Sequence, residues 1–383
     1  MRIELESRPV GVPEGTAAAD FLAVDLGRLR SVVEGATAAD VDRALSAPRR
    51  SLDDFAALLS GAATSRLEDM AGAAHASTVR RFGRTVQLFA PLYLSNECVS
   101  SCTYCGFSAE NEIARRTLAV EEVVAEAQAL SERGFRHVLL VAGEHARIVG
   151  KDYLVECVRA VAPLMPSVSI EVQVWDTATY RRLVEAGCDG LVVYQETYDR
   201  TTYEAVHLKG KKRNYDWRLA APDRGAEAGM RRLGIGALLG LHDDWRTEAL
   251  AVAAHARALI KRHWRCEVSM ALPRLRPAAG LEVLPADPVD DRSFVQLLCA
   301  LRLLLPDLGI TLSTRETPEL RDALIRLGVT SMSAGSHTEP GGYASPSDAE
   351  PQFEVSDTRS PDEVAAVLRA AGYEPVWKDW QRT

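Results

Sequence analysis

Eight short apolar, β-rich runs, at 87–94, 136–142, 167–173, 190–195, 233–240, 266–272, 309–314 and 328–333, alternate with amphipathic segments of helical period. Parallel strands need crossover helices, and eight such units in one chain argue for closure into a barrel. The segment 119–133 is representative: it ends at Gly134, which suits a helix C-cap. Residues 16–80 read as helical instead, with Ala-rich stretches at 37–47 and 52–59 interrupted by Pro48 and Gly61. The expected architecture is α/β: a TIM-type (β/α)8 barrel at 81–335, an N-terminal helical extension at 1–80, and a C-terminal loop and helix segment at 336–383 that completes the barrel domain. With 383 residues and 47% hydrophobic content, the chain can fill a barrel-sized core.

A barrel of this kind carries its reactive groups at the C-terminal ends of its strands, and the polar residues of this chain fall there. Cys98, Cys102 and Cys105 follow the first run, and Gly143-Glu144-His145 the second. The third ends in Glu171 and Gln173, the fourth runs through Gln195 and Glu196 to Tyr198, and the fifth leads to His242 and Asp243. Arg274 follows the sixth, Ser313 and Arg315 close the seventh, and Ser336 lies just beyond the eighth. Taken singly, each has a plain structural use: Glu144 as a helix cap, Arg315 as a surface charge, Gln195 as a satisfied core amide. Their shared placement points to one site.

The three cysteines have the spacing C-x3-C-x2-C. Structural zinc wants four ligands, and the next cysteine is Cys157. A disulfide framework fits poorly with seven cysteines, an odd number, and with a start at Met1–Ser7 that has no apolar signal stretch; a cytoplasmic protein is expected. Three thiolates around a [4Fe–4S] cluster leave one iron open, and an open iron can chelate the amino and carboxylate groups of S-adenosylmethionine and pass an electron to its sulfonium. Cys157, Cys188, Cys266 and Cys299 are isolated and read as core or strand residues. The net charge of −8 argues against nucleic acid, and no stretch approaches the ~20 apolar residues of a membrane span. The one dense basic run, Lys209 to Arg213, reads as a solvated loop.

Roles follow from the chemistry of such a cofactor. Gly143 and Glu144 can receive its ammonium, and Glu171 and Gln173 can reach its ribose hydroxyls. Gly236, in the glycine-punctuated run 234–240, allows adenine to lie against backbone, and Tyr104 can shield the cluster. Gln195 and Glu196 complete the expected cofactor wall. A substrate carboxylate needs a cation, for which Arg315 is the first choice. Ser313, Ser336, Arg274 and Tyr93 are further candidates for holding the substrate.

From about residue 80 onward the chain resembles the radical S-adenosylmethionine enzymes, and among them the 2-iminoacetate synthase family of thiamine-thiazole biosynthesis. The motifs that carry the resemblance include Pro-Leu-Tyr-Leu-Ser-Asn (91–96), Cys-Thr-Tyr-Cys-Gly-Phe-Ser (102–108), Tyr-Gln-Glu-Thr-Tyr (194–198) and His-Leu-Lys-Gly-Lys-Lys (207–212). Further along stand Pro-Arg-Leu-Arg-Pro (273–277), Leu-Ser-Thr-Arg-Glu (312–316), Pro-Gly-Gly-Tyr (340–343) and Val-Trp-Lys-Asp-Trp (376–380). The resemblance implies a lyase in which a 5′-deoxyadenosyl radical takes hydrogen from the amino group of L-tyrosine. The Cα–Cβ bond then breaks, giving p-cresol and 2-iminoacetate, with 5′-deoxyadenosine and methionine as co-products. It also implies two partners, a thiazole synthase that receives the imine and an electron donor of flavodoxin or ferredoxin type. A lyase acting on tryptophan is the alternative within the same fold. The hydrogenase-maturation branch needs further cysteines, and none follows Cys299. A pure electron carrier would close the fourth iron with cysteine. The Gly/Pro/Ser-rich stretch 335–357 is expected to be a lid or a docking surface.

Overall fold

The computed structural model describes residues 11–281 and 289–378. Each of the eight expected runs is a strand: β1 Thr85–Ser95, β2 His137–Ala142, β3 Ser167–Glu171, β4 Gly190–Glu196, β5 Arg232–Ala237, β6 Glu267–Ala271, β7 Gly309–Leu312 and β8 Ser331–Ser333. Neighbours in the chain pair in parallel, and β8 closes onto β1 through Gln87–Ser331, Leu88–Met332 and Phe89–Ser333. The result is the expected (β/α)8 barrel. Three runs end earlier than their apolar content suggests, at Glu171, Ala237 and Leu312, because the chain there leaves the ladder to build the rim.

Between β1 and β2 the helix Val120–Glu132 buries Val123, Ala127 and Leu130, and Gly134 turns the chain at φ 96°. The helices between Ala17 and Phe82 pack against the outer layer of the barrel. Thr37 with Asp40 and Ser51 with Asp54 cap two of them reciprocally. Asp223 accepts the backbone N–H groups of Ala17 (2.7 Å) and Ala18 (3.1 Å), and Gln296 donates to the carbonyls of Leu58 and Ser60. Leu29, Phe55, Leu58 and Met70 are buried in the same apolar core as the barrel residues Leu88, Leu140 and Ile170.

Beyond β8, residues 336–357 cross the mouth of the barrel without regular structure. Their attachments are numerous. Glu126 accepts from the N–H groups of Tyr343 and Ala344, and the Tyr343 hydroxyl donates to the Pro91 carbonyl at 2.7 Å. On the far side Glu354 N–H donates to Pro277 O and Asp357 N–H to Thr314 O. Arg321 and Asp357 pair with both side chains fully buried. Helix Pro361–Ala370 then leads to the short strand Glu374–Val376, which pairs with the lower end of β1 on the side opposite β8. The last two residues of the 376–380 motif lie outside the described residues. No helix among the described residues is long and apolar enough to cross a membrane.

Candidate active site

The cysteine loop is held by side chains that satisfy its backbone. Arg115 donates to four carbonyl groups, those of Asn96 (2.6 Å), Phe107 (2.9 Å), Ser108 (2.7 Å) and Asn111 (3.1 Å). Ser108 Oγ accepts the Cys102 N–H, and the two-residue strand Ser101–Cys102 pairs antiparallel with His207–Lys209. A Cβ on Gly143 would stand 2.4 Å from the Glu97 carbonyl oxygen, so only glycine lets the end of β2 lie this close under the loop.

Cys98, Cys102 and Cys105 line one cavity together with Gly143, Glu144, Glu171, Glu196, Lys212, Arg218 and Gln352. Among the described residues no three metal-ligating side chains are grouped closely enough to hold a single metal ion. Burial, reinforced by the nearby Glu144 carboxylate, pushes the Cys98 thiol up to about 11, and burial also raises Cys102. Such thiols ionise only beside compensating positive charge, which a cationic iron cluster supplies. The donor set, three thiols lining one cavity, fits a cluster held by three thiolates.

A buried ionic network forms the wall opposite the thiols. Arg218 pairs with Glu144 at 3.0 Å and approaches Glu196 at 3.9 Å, while Lys212 pairs with Glu196 at 2.6 Å. Ser100 Oγ donates to the second Glu144 oxygen at 3.2 Å. Glu196 is the only non-glycine among the described residues with positive φ, at 72°, where the β4–β5 ladder slips by one residue at a bulge. Burial and Glu196 together push the Glu171 carboxyl up to about 7. Tyr104 is buried, with its hydroxyl 2.8 Å from His207 Nε2 and the Lys212 ammonium 5.5 Å from its ring.

A second cavity adjoins the first and shares Cys105, Glu171, Glu196, Lys212 and Gln352 with it. Its own walls are Tyr93, Tyr194, Ser313, Arg315, Ser336 and Phe353, among others. Arg315 forms no ion pair with any described carboxylate, its guanidinium lies 3.4 Å from the Phe353 ring centroid, and desolvation lowers its pKa. The Ser336 hydroxyl is buried without a partner. The Tyr93 hydroxyl donates to Gln352 Oε1 at 2.7 Å.

Four expected residues are held away from these cavities. Gln173 lies past the end of β3 and donates to Val149 O at 3.1 Å. Gln195 faces outward between the inward side chains of Tyr194 and Glu196, with its amide directed at Tyr215 O. Gly236 faces the Ala271 carbonyl and the Tyr194 ring, whose nearest atoms lie 2.2 and 2.6 Å from where a Cβ would stand. Arg274 is locked by Glu316, Asp291 and the Val289 carbonyl. The basic run also divides: Lys209, Lys211 and Arg213 are exposed as expected, whereas Lys212 turns inward with its side chain 13% exposed. Arg115, Arg218 and Gln352 carried no sequence signal of their own. Lys212 is legible in the sequence as part of the basic run and of the 207–212 motif, but neither signals that it turns inward.

Residues 92–253 match the Radical SAM superfamily, and residues 271–374 match the Biotin and Thiamin Synthesis associated domain. The chain is 46% identical over 357 residues to 2-iminoacetate synthase of Escherichia coli (strain K12), covering 93% of this chain and 94% of that protein. The enzyme of the same name from Salmonella typhimurium is 46% identical over 352 residues, with 92% and 93% covered. Among solved structures, HydG, a maturase of the [FeFe]-hydrogenase, superposes with a TM-score of 0.87 at 33% identity, over 94% of this chain and 81% of that one. Methylornithine synthase shares the fold, with a TM-score of 0.72 at 23% identity, over 88% of this chain and 97% of that one.

Proposed function

From its membership of the 2-iminoacetate synthase family of radical S-adenosylmethionine enzymes, we infer that the chain cleaves the Cα–Cβ bond of L-tyrosine to 2-iminoacetate and p-cresol, for the thiazole of thiamine. When bound, a [4Fe–4S] cluster and S-adenosylmethionine supply the hydrogen-abstracting radical. Cys98, Cys102 and Cys105 would hold the cluster. Gly143, Glu144 and Glu171 border the space beside it that the cofactor would take.

The observation that carries the substrate assignment is Arg315: a cation with no carboxylate partner among the described residues, facing a cavity that opens toward the thiols. A guanidinium in that setting suits bidentate capture of an amino acid carboxylate. Ser313, Ser336 and Tyr93 add hydroxyls to the same wall, and the apolar remainder, with Phe89, Pro91 and Leu139, suits an aromatic side chain. Residues 336–357 exclude water from above, and the fixed carboxylates and cations of the lateral wall hold the substrate near the abstracting position.

The electron comes from a donor of flavodoxin or ferredoxin type, the imine passes to a thiazole synthase, and the protein works in the cytoplasm. Anaerobic reconstitution with iron and sulfide, reduction, and addition of S-adenosylmethionine and L-tyrosine test the activity. Tyrosine-dependent 5′-deoxyadenosine, p-cresol and glyoxylate, the hydrolysis product of the imine, are the expected result. Radical formation without p-cresol overturns the substrate.

A further inference from the structure

The segment that crosses the barrel mouth touches the cysteine loop at one place. Gly106 N–H donates to the Gln352 carbonyl at 3.1 Å, and a Cβ on Gly106 would stand 2.6 Å from that oxygen and 2.9 Å from the Pro351 carbonyl. Backbone is thus pressed on backbone one residue past Cys105. The Gln352 side chain then reaches into the site, where it borders both cavities. Its Oε1 accepts the Tyr93 hydroxyl at 2.7 Å, which turns Nε2 toward the Cys105 sulfur at 3.7 Å. Tyr93 itself stands on β1, in the wall of the cavity assigned to the substrate.

Resting on the reading that Cys105 is a cluster ligand, we propose that Gln352 is a positioning residue that donates a hydrogen bond to the Cys105 sulfur and raises the reduction potential of the cluster when the 336–357 segment is closed. An N–H aimed at a ligand sulfur withdraws negative charge from it, and so favours the reduced, more negative state of the cluster. The redox step is a one-electron transfer from a reduced flavin or iron–sulfur protein to the oxidised cluster, and the amide keeps its proton throughout. Because the donor sits on the covering segment and is oriented by a residue of the substrate wall, the cluster accepts its electron most readily when the mouth is covered. Reductive cleavage of the cofactor is thereby tied to a closed site, which limits radical formation in solvent.

The test compares wild type with Gln352→Met and Gln352→Glu, both of which keep the backbone contact to Gly106. The cluster midpoint potential is read by anaerobic titration followed by electron paramagnetic resonance. Hydrogen exchange over 340–357 is read on the iron-free protein. A more negative midpoint in both variants, with exchange protection over 340–357 retained, is expected. A midpoint equal to wild type in either protected variant overturns the proposal. A shift seen only in variants that have lost protection also overturns it, because the effect then lies in closure of the backbone and not in the amide. A wild-type protein that takes up no iron and sulfide overturns the ligand reading as well, and elemental analysis distinguishes that failure from the other two.

Discussion

Lys212 and Glu196 pair at 2.6 Å inside the barrel, with side chains 13% and 12% exposed, although one comes from a loop of exposed basic residues and the other from a strained strand end. The pair links the ribbon that braces the cysteine loop to the end of β4, and Arg218 ties Glu144 into the same network.

Lys212→Met leaves the Glu196 carboxylate buried without its nearest cation, and loss of one partner of a buried pair costs about 3–5 kcal/mol. Denaturant unfolding of the iron-free protein should show that loss. The double variant Lys212→Met/Glu196→Gln should recover most of it. Equal stability of wild type and the single variant would remove the pair from the framework of the site.

Arg315→Met removes the cation proposed for the substrate carboxylate. Truncating one side of a buried charge pair costs about 2 kcal/mol or more, so KM for tyrosine should rise at least ~30-fold. Iron and sulfide content should match wild type, since the hydrogen bonds that hold the cysteine loop come from Arg115 and Ser108 and not from Arg315. An unchanged KM would dismiss the assignment.

Glu171 gives the fold a pH dependence. Its carboxyl titrates near 7 in the folded protein, raised from 4.5 by burial and by Glu196, so the folded state binds more protons than the unfolded state between those values. The contribution of Glu171 to stability must therefore fall as pH rises from about 4.5 through 7. Glu171→Gln should flatten the decline, and melting temperatures of the iron-free wild type and variant from pH 5 to 8 measure it. Parallel curves would contradict the shift.

Gly143→Ala forces a Cβ to within 2.4 Å of the Glu97 carbonyl, so either the end of β2 or the cysteine loop must move. The expected outcome is a folded barrel, by circular dichroism, with reduced iron uptake on reconstitution. Full uptake would show that the loop yields without cost.

Much of this was legible because the barrel repeats one period eight times and places its chemistry by one rule. The cysteine spacing and the inward side chains of Tyr93, Glu171, Glu196, Ser313 and Arg315 followed from it. Gln195 did not, because alternation along β4 decides between neighbours and the bulge beside Glu196 is invisible in sequence. Gln173 did not, because the strand ends two residues before it. Arg218 and Gln352 did not, because their partners lie 74 and 247 positions away, at Glu144 and Cys105. Pairings at such range are set by topology, and local pattern carries no trace of them.

The closure of the barrel also has a consequence for how the chain is made. β1, with the apolar run Leu88-Phe89-Ala90-Pro91-Leu92-Tyr93-Leu94, must wait for β8 and for Glu374–Val376 before both sides of its lower half are covered. Those partners leave the ribosome about 240 residues or more after it, which at ~5–20 residues per second is a delay of tens of seconds. For that interval the nascent chain presents an open, greasy strand edge, the kind of surface that chaperones bind and that self-associates when they are scarce. Expression yield should therefore respond to chaperone supply and growth temperature more sharply than the stability of the finished barrel suggests.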